Sequence, residues 1–222
     1  MQCDPDLRTL IQHRLRAFSV QAAAVDQHPG RHHAAVAVAI TEAGLGAELP
    51  GLPQQQAWST QAALILTRRA GHLRQHAGQW ALPGGRIDAG ETPEQAALRE
   101  LAEEVELELP AHAVLGRLDD VITRSGFVIT PVVVWAGAAR QMRPNPAEVA
   151  SLHRIPITEF LRADAPMLAR EGHSEHPVLR MPVGSSWIAA PTAAILYQFR
   201  EVCIENRPTR VAHFEQPSFA WK

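Results

Sequence analysis

The sequence predicts an α/β protein of the α+β kind, in which a mixed β-sheet is flanked by helices. Compact apolar runs typical of buried strands lie at 34–40, 62–67 and 127–136. Helical patterns lie at 93–105 and 191–205. Because strands and helices alternate without a regular βαβ rhythm, a mixed sheet is favoured over a doubly wound parallel one.

The chain begins with a predicted amphipathic helix. Asp4 and Pro5 suit a cap and a first helical position, and apolar residues recur at helical spacing as far as Phe18. We therefore assign residues 1–30 to an N-terminal helical extension. Residues 42–61 are rich in Gly, Pro and Gln, and we expect them to form an exposed connector between two strands.

Prolines mark the later elements. Pro131 interrupts the third apolar run and predicts an edge position or a bulge there. A strand is expected to turn at Pro156 into a short helix, and Pro191 can open the last helix. These elements place the main domain at 31–205 and leave 206–222 as a C-terminal tail whose role is open.

The composition of the chain is that of a globular protein and gives no sign of a nucleic-acid-binding, membrane or disulfide-rich protein. The 222 residues are 46% hydrophobic and 20% charged, as expected for a chain able to bury a core. A net charge of -2 gives no general reason to bind nucleic acid or an anionic membrane. The two cysteines, Cys3 and Cys203, lack metal or disulfide spacing. With no apolar run like a signal peptide or a membrane span, we expect a cytoplasmic protein.

The helix at 93–105 presents acidic and apolar side chains on opposite faces. Thr92 and Gln95 can form a capping box around Pro93. Its acidic face carries Glu100, Glu103 and Glu104, and its apolar face carries Leu98, Leu101 and Val105. Like charges spaced i,i+4 cost about 0.2–0.5 kcal/mol per pair, and no Lys relieves them. Mg²⁺ or Mn²⁺, which prefer oxygen ligands, would supply the missing charge.

A solvated acidic face is the alternative for any generic E-x-x-E-E stretch, and the wider spacing argues against it. Gly85, Glu91, Arg99-Glu100-Leu101, Glu103-Glu104 and Glu106-Leu107 stand at the intervals of the Nudix box. The segment resembles that signature of Nudix hydrolases at eight of nine defining positions. It departs at Glu106, where the family has Gly. The resemblance implies a Nudix-type α/β/α sandwich and an enzyme that hydrolyses nucleoside diphosphate derivatives.

The resemblance also implies roles for the acidic residues. Glu103 and Glu104 correspond to the principal metal ligands, and Glu100 to a further ligand or a water-positioning base. The carbonyl group of Gly85 faces the metal in the family. Glu148 stands where many members supply another acidic ligand or base, although plain surface charge is an equal alternative. Catalysis is thus assigned to Glu100, Glu103, Glu104 and Glu148, with Mg²⁺ or Mn²⁺ as the cofactor.

Two further box positions are expected to support the site rather than perform chemistry. Glu91 and Arg99 should form an ion pair that braces the preceding loop on the helix, since Arg favours bidentate carboxylate geometry. Glu106 follows the helix, where a left-handed backbone costs a non-Gly residue about 1–2 kcal/mol. Either Glu106 accepts that strain or the helix ends differently.

The segment before the box resembles the coenzyme A pyrophosphatase branch of the family. The matching positions are Leu66, Thr67, Arg69, Arg74, Gly78, Pro83, Gly84 and Gly85. Ile65 and Leu82 depart from the pattern, and 119–133 and 145–161 also resemble that branch. The implied reaction is hydrolysis of coenzyme A or its thioesters to 3′,5′-ADP and a phosphopantetheine moiety. Family members are often dimers, so a homodimer is possible.

Recognition of such a substrate needs cations, because coenzyme A carries a 3′-phosphate besides its diphosphate. The candidate substrate-binding residues are Arg68, Arg69, Arg74, Gly78 and Arg124. A solvated surface role is the alternative for any single Arg. Trp80 could stack on adenine or simply pack in the core. His72 and His76 stand four apart in a glycine-containing loop, which does not predict a metal site.

Two rival functions remain open on the sequence. One keeps the box and changes the substrate to ADP-ribose or a related nucleotide sugar. The other is a non-catalytic Nudix-like module that binds nucleotides or a protein partner. Retention of all the expected acidic positions argues against the second, because a module without catalysis has no need of them.

Overall fold

A computed structural model of the chain describes residues 1–23, 30–73, 76–169 and 176–216. The helices in these parts are α1 (Pro5–Ala17), α2 (Pro93–Val105) and α3 (Thr192–Phe199). The strands are β1 (His32–Gly44), β2 (Ser59–Arg69), β3 (Trp80–Ala81), β4 (Gly84–Arg86), β5 (Val114–Arg117), β6 (Val121–Ile122), β7 (Phe127–Gly137), β8 (Val149–Pro156), β9 (Met167–Ala169), β10 (Val178–Val183) and β11 (Ser186–Ala189). No helix in the described ranges has both the length and the apolar character that a bilayer span requires.

The main sheet is mixed, as the sequence predicts. Strand β1 pairs in parallel with β7 and antiparallel with β2 and β4. Strand β7 pairs antiparallel with β5 and β6, and β2 pairs antiparallel with β3 and β8. A smaller antiparallel sheet joins β9, β10 and β11.

Helices cover both faces of the main sheet because its central strands alternate their buried side chains. One face carries Ala35, Ala37, Ala39, Val132 and Val134 and packs against α2. The other face carries Val38, Ile40, Leu64, Leu66 and Val133 and shares a core with α1 and α3. The predicted arrangement of a mixed sheet between helical layers is therefore confirmed.

The first and last helices follow the sequence signals closely. The Asp4 Oδ1 atom accepts a hydrogen bond of 2.9 Å from the Leu7 backbone N–H, which caps α1. The buried residues Leu7, Ile11 and Leu15 join the core beside α3, so the helical part of the 1–30 extension packs on the domain. Helix α3 ends at Phe199 and continues as a π-helical turn over Arg200–Ile204.

Strand β7 differs from the prediction made for Pro131. The expected edge position is wrong, because β7 lies between β1 on one side and β5 and β6 on the other. Pro131 falls between the residues that pair with β6 and those that pair with β5. The missing proline N–H therefore leaves no bond of these two short strands unmade.

The connector is shorter and more closely packed than expected. Strand β1 extends to Gly44 and β2 begins at Ser59, so both ends of the predicted 42–61 connector are strand. The Ser185 backbone N–H donates a hydrogen bond of 2.9 Å to the Pro50 carbonyl group, which fastens the connector to the β10–β11 hairpin. At the bend near Pro156, strand β8 gives way to a 3₁₀ helix over Ile157–Leu161, as the sequence predicts.

Candidate active site

Helix α2 forms one wall of the site and is fixed at both ends. A capping box joins the Gln95 N–H to the Thr92 Oγ1 at 3.3 Å and the Thr92 N–H to the Gln95 Oε1 at 2.8 Å. The buried face of the helix includes Leu101 and Val105 and docks on the central strands. The helix ends at Glu106, which adopts the left-handed conformation with φ 54° and ψ 37°. Glu106 therefore accepts the strain that a glycine would avoid.

The three glutamates of the acidic face occupy different environments. Glu104 is 3% exposed and Glu100 is 8% exposed. The side chain of Glu103 is 53% exposed. Helix docking thus turns Glu100 and Glu104 inward and leaves Glu103 at the rim.

Two glycines of β4 allow the sheet to approach this helix. A Cβ atom on Gly85 would lie 2.1 Å from the Glu100 Oε1 atom, which is far inside contact distance. A Cβ atom on Gly84 would lie 2.4 Å from the Ala35 carbonyl oxygen. Glycine at 85 therefore admits the Glu100 carboxylate, and glycine at 84 admits the backbone of β1.

Burial and like charge raise the proton affinity of the inner glutamates. Burial, followed by the charge of Glu100, raises the pKa of Glu104 to about 8, with Arg69 acting in the opposite direction. Burial also raises the pKa of Glu100, against the stabilising contact with Arg99. Glu148 contributes repulsion to both carboxyl groups. The fold thus brings Glu148 from the start of β8 into the field of the α2 glutamates.

Arg99 holds the acidic face and the preceding loop together. Its Nε atom lies 3.0 Å from the Glu91 Oε1 atom, so the contact predicted from the sequence is present. Its Nη1 atom also donates to the Glu100 Oε1 at 2.9 Å and to the Glu103 Oε2 at 3.0 Å. The hydrogen bond from Arg99 lowers the pKa of Glu91. Arg99 therefore supplies the counter-charge for part of the acidic face.

The donor chemistry suits a hard divalent cation. Within the described ranges, no three His, Cys, Asp or Glu side chains stand close enough together to hold a metal ion by themselves. The carboxylates of Glu100 and Glu104 nevertheless carry the chemistry that Mg²⁺ and Mn²⁺ prefer, and both lie beside the backbone of Gly84 and Gly85. The residues present therefore fit such an ion.

A cavity of about 420 Å³ opens beside these groups. Its polar end is lined by Gly85, Glu100, Glu148 and Arg69. The rest of its wall is mainly apolar and includes Val36, Leu82, Phe127, Ile129, Pro191 and Ile195. The cavity can therefore bind a molecule that carries anionic and apolar parts side by side.

The predicted basic residues separate into different roles. Arg69 lines the cavity, and its buried Nε atom has no hydrogen-bond partner among the described residues. The guanidinium group of Arg68 instead lies 4.0 Å over the ring of Trp80 and donates to the Gly78 carbonyl at 3.0 Å. The side chain of Arg124 pairs with Glu215. Arg74 lies outside the described residues.

Gly78, a candidate substrate-binding residue, and Trp80, a candidate for stacking on adenine, both make contacts within the protein. Gly78 has φ 68° and shapes the turn between β2 and β3, so its contact with Arg68 is structural. Trp80 is buried between Arg68 and His153, whose ring lies edge-on at 5.1 Å, while part of the residue lines the cavity. These contacts favour the packing role of Trp80 over stacking on adenine.

Several cavity residues carry no recognisable motif. They are His76, Gln79, Thr123, Ser125, Phe127, Ile129, Pro191, Thr192, Ile195 and Gln216. Side chains alternate between the two faces of a strand, so Phe127 and Ile129 of β7 lie on the same face. Once β7 is recognised as a strand, this placement can be predicted from the sequence. Thr192 and Ile195 reach the cavity from α3, and the others lie in loops and in the C-terminal tail. His72 contacts the Ala147 carbonyl through its Nε2 atom at 3.1 Å.

Comparisons with known proteins agree with this geometry. The NUDIX domain profile matches residues 56–175, more than half of the chain. An uncharacterized Nudix hydrolase, NudL of Yersinia enterocolitica, is 39% identical over 139 residues, covering 61% of this chain and 71% of its own. The NudL protein of Pectobacterium atrosepticum is 37% identical over 148 residues, covering 65% of this chain and 77% of its own.

A solved structure supports the fold independently. The MutT/nudix family protein from Enterococcus faecalis aligns with a TM-score of 0.52 at 18% identity, covering 81% of this chain and 66% of that chain. At this identity the likeness concerns the fold alone. The profile match and the NudL relatives establish that the chain belongs to the Nudix hydrolase family.

Proposed function

We propose that this Nudix hydrolase cleaves the diphosphate bond of coenzyme A or acyl-coenzyme A. The products are 3′,5′-ADP and 4′-phosphopantetheine or its acyl form. The observation that carries the proposal is the cavity lining, in which the buried Glu100, the half-buried Glu148 and Arg69 occur together with a mainly apolar wall. The chemical composition of coenzyme A matches this lining, since its diphosphate joins a nucleotide to a long arm with aliphatic segments.

The carboxylates at the polar end are assigned to metal binding and water activation. Glu103, Glu104, Glu100 and the Gly85 carbonyl would hold Mg²⁺ or Mn²⁺. Such an ion neutralises diphosphate charge and makes a nearby water a better nucleophile. Glu100 and Glu148 both line the cavity, so either carboxylate can orient the attacking water and accept its proton.

Arg69 is assigned to the substrate phosphates. Arg69 lines the cavity together with Glu100 and Glu148. The buried Nε atom, which lacks a partner among the described residues, can donate to a phosphate oxygen. A contact that strengthens as charge moves onto the leaving phosphate would stabilise the transition state. Arg99 braces the acidic helix and does not line the cavity.

Product analysis tests the substrate directly. The purified protein is incubated with coenzyme A, acetyl-coenzyme A, ADP-ribose and NADH, each with Mg²⁺, with Mn²⁺ or with a chelator. We expect 3′,5′-ADP and phosphopantetheine from coenzyme A, only when a divalent ion is present. Faster cleavage of ADP-ribose would move the assignment to nucleotide sugars. Binding of nucleotides with no turnover under any condition would identify a non-catalytic module.

A further inference from the structure

The C-terminal segment, defined here as residues 206–216, folds back along α3 and is anchored there. The Nη1 atom of Arg210 lies 2.7 Å from the Oδ1 atom of buried Asp119. The Gln198 Nε2 atom donates to the Thr209 carbonyl at 3.0 Å, and the Thr209 Oγ1 atom donates to the Glu201 carboxylate at 3.1 Å. These bonds to buried partners fix the path of the segment toward the cavity.

Gln216, the last residue of the C-terminal segment, makes two hydrogen bonds with its side-chain amide. The Nε2 atom of Gln216 donates to the Ile122 carbonyl at 2.9 Å. Its Oε1 atom accepts from the Arg124 backbone N–H at 3.2 Å. Gln216 is 8% exposed, so these bonds are shielded from water. One side-chain amide thus holds the backbone on both sides of Thr123, in the turn between β6 and β7.

This turn is part of the cavity wall. Thr123, Ser125 and Phe127 all line the cavity of about 420 Å³, and so does Gln216. A smaller cavity of about 100 Å³ lies next to it and shares Pro191 and Gln216 as lining residues. Those two residues therefore separate the cavities. The smaller cavity is otherwise lined mainly by apolar groups such as Val121, Ala194 and Phe214, together with Asp120.

We propose that Gln216 is a positioning residue that holds the β6–β7 turn and sets the affinity for the part of the substrate remote from the diphosphate. This inference rests on the proposed function, because it assigns the polar end of the cavity to the diphosphate. Removing the amide frees the turn and opens the partition between the cavities. The bonds of Gln216 to the turn reach Ile122 and Arg124, whereas Glu100 at the polar end is bonded to Arg99, so we expect the polar end to be unaffected.

The test compares the wild type with Gln216→Ala and with the control Arg207→Ala. Arg207 belongs to the same segment, but its side chain pairs with Glu201 and Glu205 and lies outside the cavity lining. Steady-state kinetics give KM and kcat for coenzyme A, and inorganic pyrophosphate serves as a competitive inhibitor without a remote part. We expect Gln216→Ala to raise KM about fivefold, with unchanged kcat and unchanged inhibition by pyrophosphate.

The outcomes separate the positioning role from a general loss of structure. The control should keep wild-type KM and kcat, and a thermal melt should show that Gln216→Ala is folded. A KM within about twofold of the wild type, a fall in kcat instead, or equal weakening of pyrophosphate would each overturn the inference. If wild-type protein does not cleave coenzyme A, the proposed function fails separately. Calorimetric affinities for ADP and pyrophosphate then provide the same comparison.

Discussion

Replacing Glu104 by Gln should abolish turnover and stabilise the metal-free protein at the same time. The pKa of Glu104 rises from 4.5 to about 8 on folding, chiefly because of burial and the charge of Glu100. The folded state therefore holds the proton more tightly than the unfolded state. The contribution of Glu104 to stability is therefore greatest below pH 4.5 and falls as the pH rises toward 8.

The stabilisation expected from Glu104→Gln follows from this difference in pKa between the folded and unfolded states. At pH 7 the raised pKa of Glu104 costs at most about 3 kcal/mol of folding free energy, because the folded state must take up a proton that the unfolded state has lost. A buried glutamine amide brings a smaller cost of its own, so the net stabilisation of Glu104→Gln should be about 2 kcal/mol. For a chain of this length that corresponds to a rise in Tm of about 4–8 °C. Turnover should fall by ~100-fold or more, because a charge at the reacting centre is lost.

The assay is a series of thermal melts from pH 5 to pH 8 in chelator, beside kinetics with Mg²⁺. Glu103→Gln is the matched control, since its side chain is 53% exposed and a lost carboxylate there should impair turnover without stabilising the protein. The wild type should lose stability on going from pH 5 to pH 8 relative to Glu104→Gln. Wild-type turnover in Glu104→Gln, or no gain in Tm at pH 8, would refute the reasoning.

Three further changes probe other parts of the structure. Glu106→Gly should raise the free energy of unfolding, measured by urea titration, by about 1 kcal/mol, because Glu106 has a positive φ. The control Glu108→Gly changes a residue without a positive φ and should lower that free energy. Equal effects of the two substitutions would contradict the strain at Glu106. Arg69→Ala should raise KM about tenfold through lost phosphate contacts, whereas Arg68→Ala should change KM by no more than about twofold, because Arg68 packs on Trp80 and does not itself line the cavity. Burial lowers the pKa of His153 below 6.5, so stability should fall as the pH drops below 6.5. His153→Gln should reduce that fall in urea titrations from pH 7 to pH 5.

Local signals predicted the helices and long strands well. The capping residues of α2 and the Asp4 cap of α1 act within one turn of the chain, so sequence spacing alone specifies them. The period-two pattern of β1 likewise specifies which residues face α2. The spacing from Gly85 to Glu104 spans only one turn and one helix. The candidate acidic site could therefore be predicted from the sequence.

Features that depend on distant partners could not be predicted in this way. Arg68 and Arg69 are neighbours in sequence, and only the position of Trp80 decides which of them faces the cavity. The pairing of Arg124 with Glu215 depends on a tail that no motif describes. The interior position of Pro131 depends on the gap between two short strands. Each outcome rests on chain segments that meet only in three dimensions.

The parallel pairing of β1 with β7 has a consequence for how the protein is made. Ala34 pairs with Ile129, so the centre of the sheet joins segments that leave the ribosome far apart in time. Contacts of such long range generally slow folding, because a large loop must close first. Until β7 arrives, the apolar face that receives α2 is incomplete and open to aggregation. Nascent chains of this protein should therefore depend on chaperones most strongly before Gly137 has emerged.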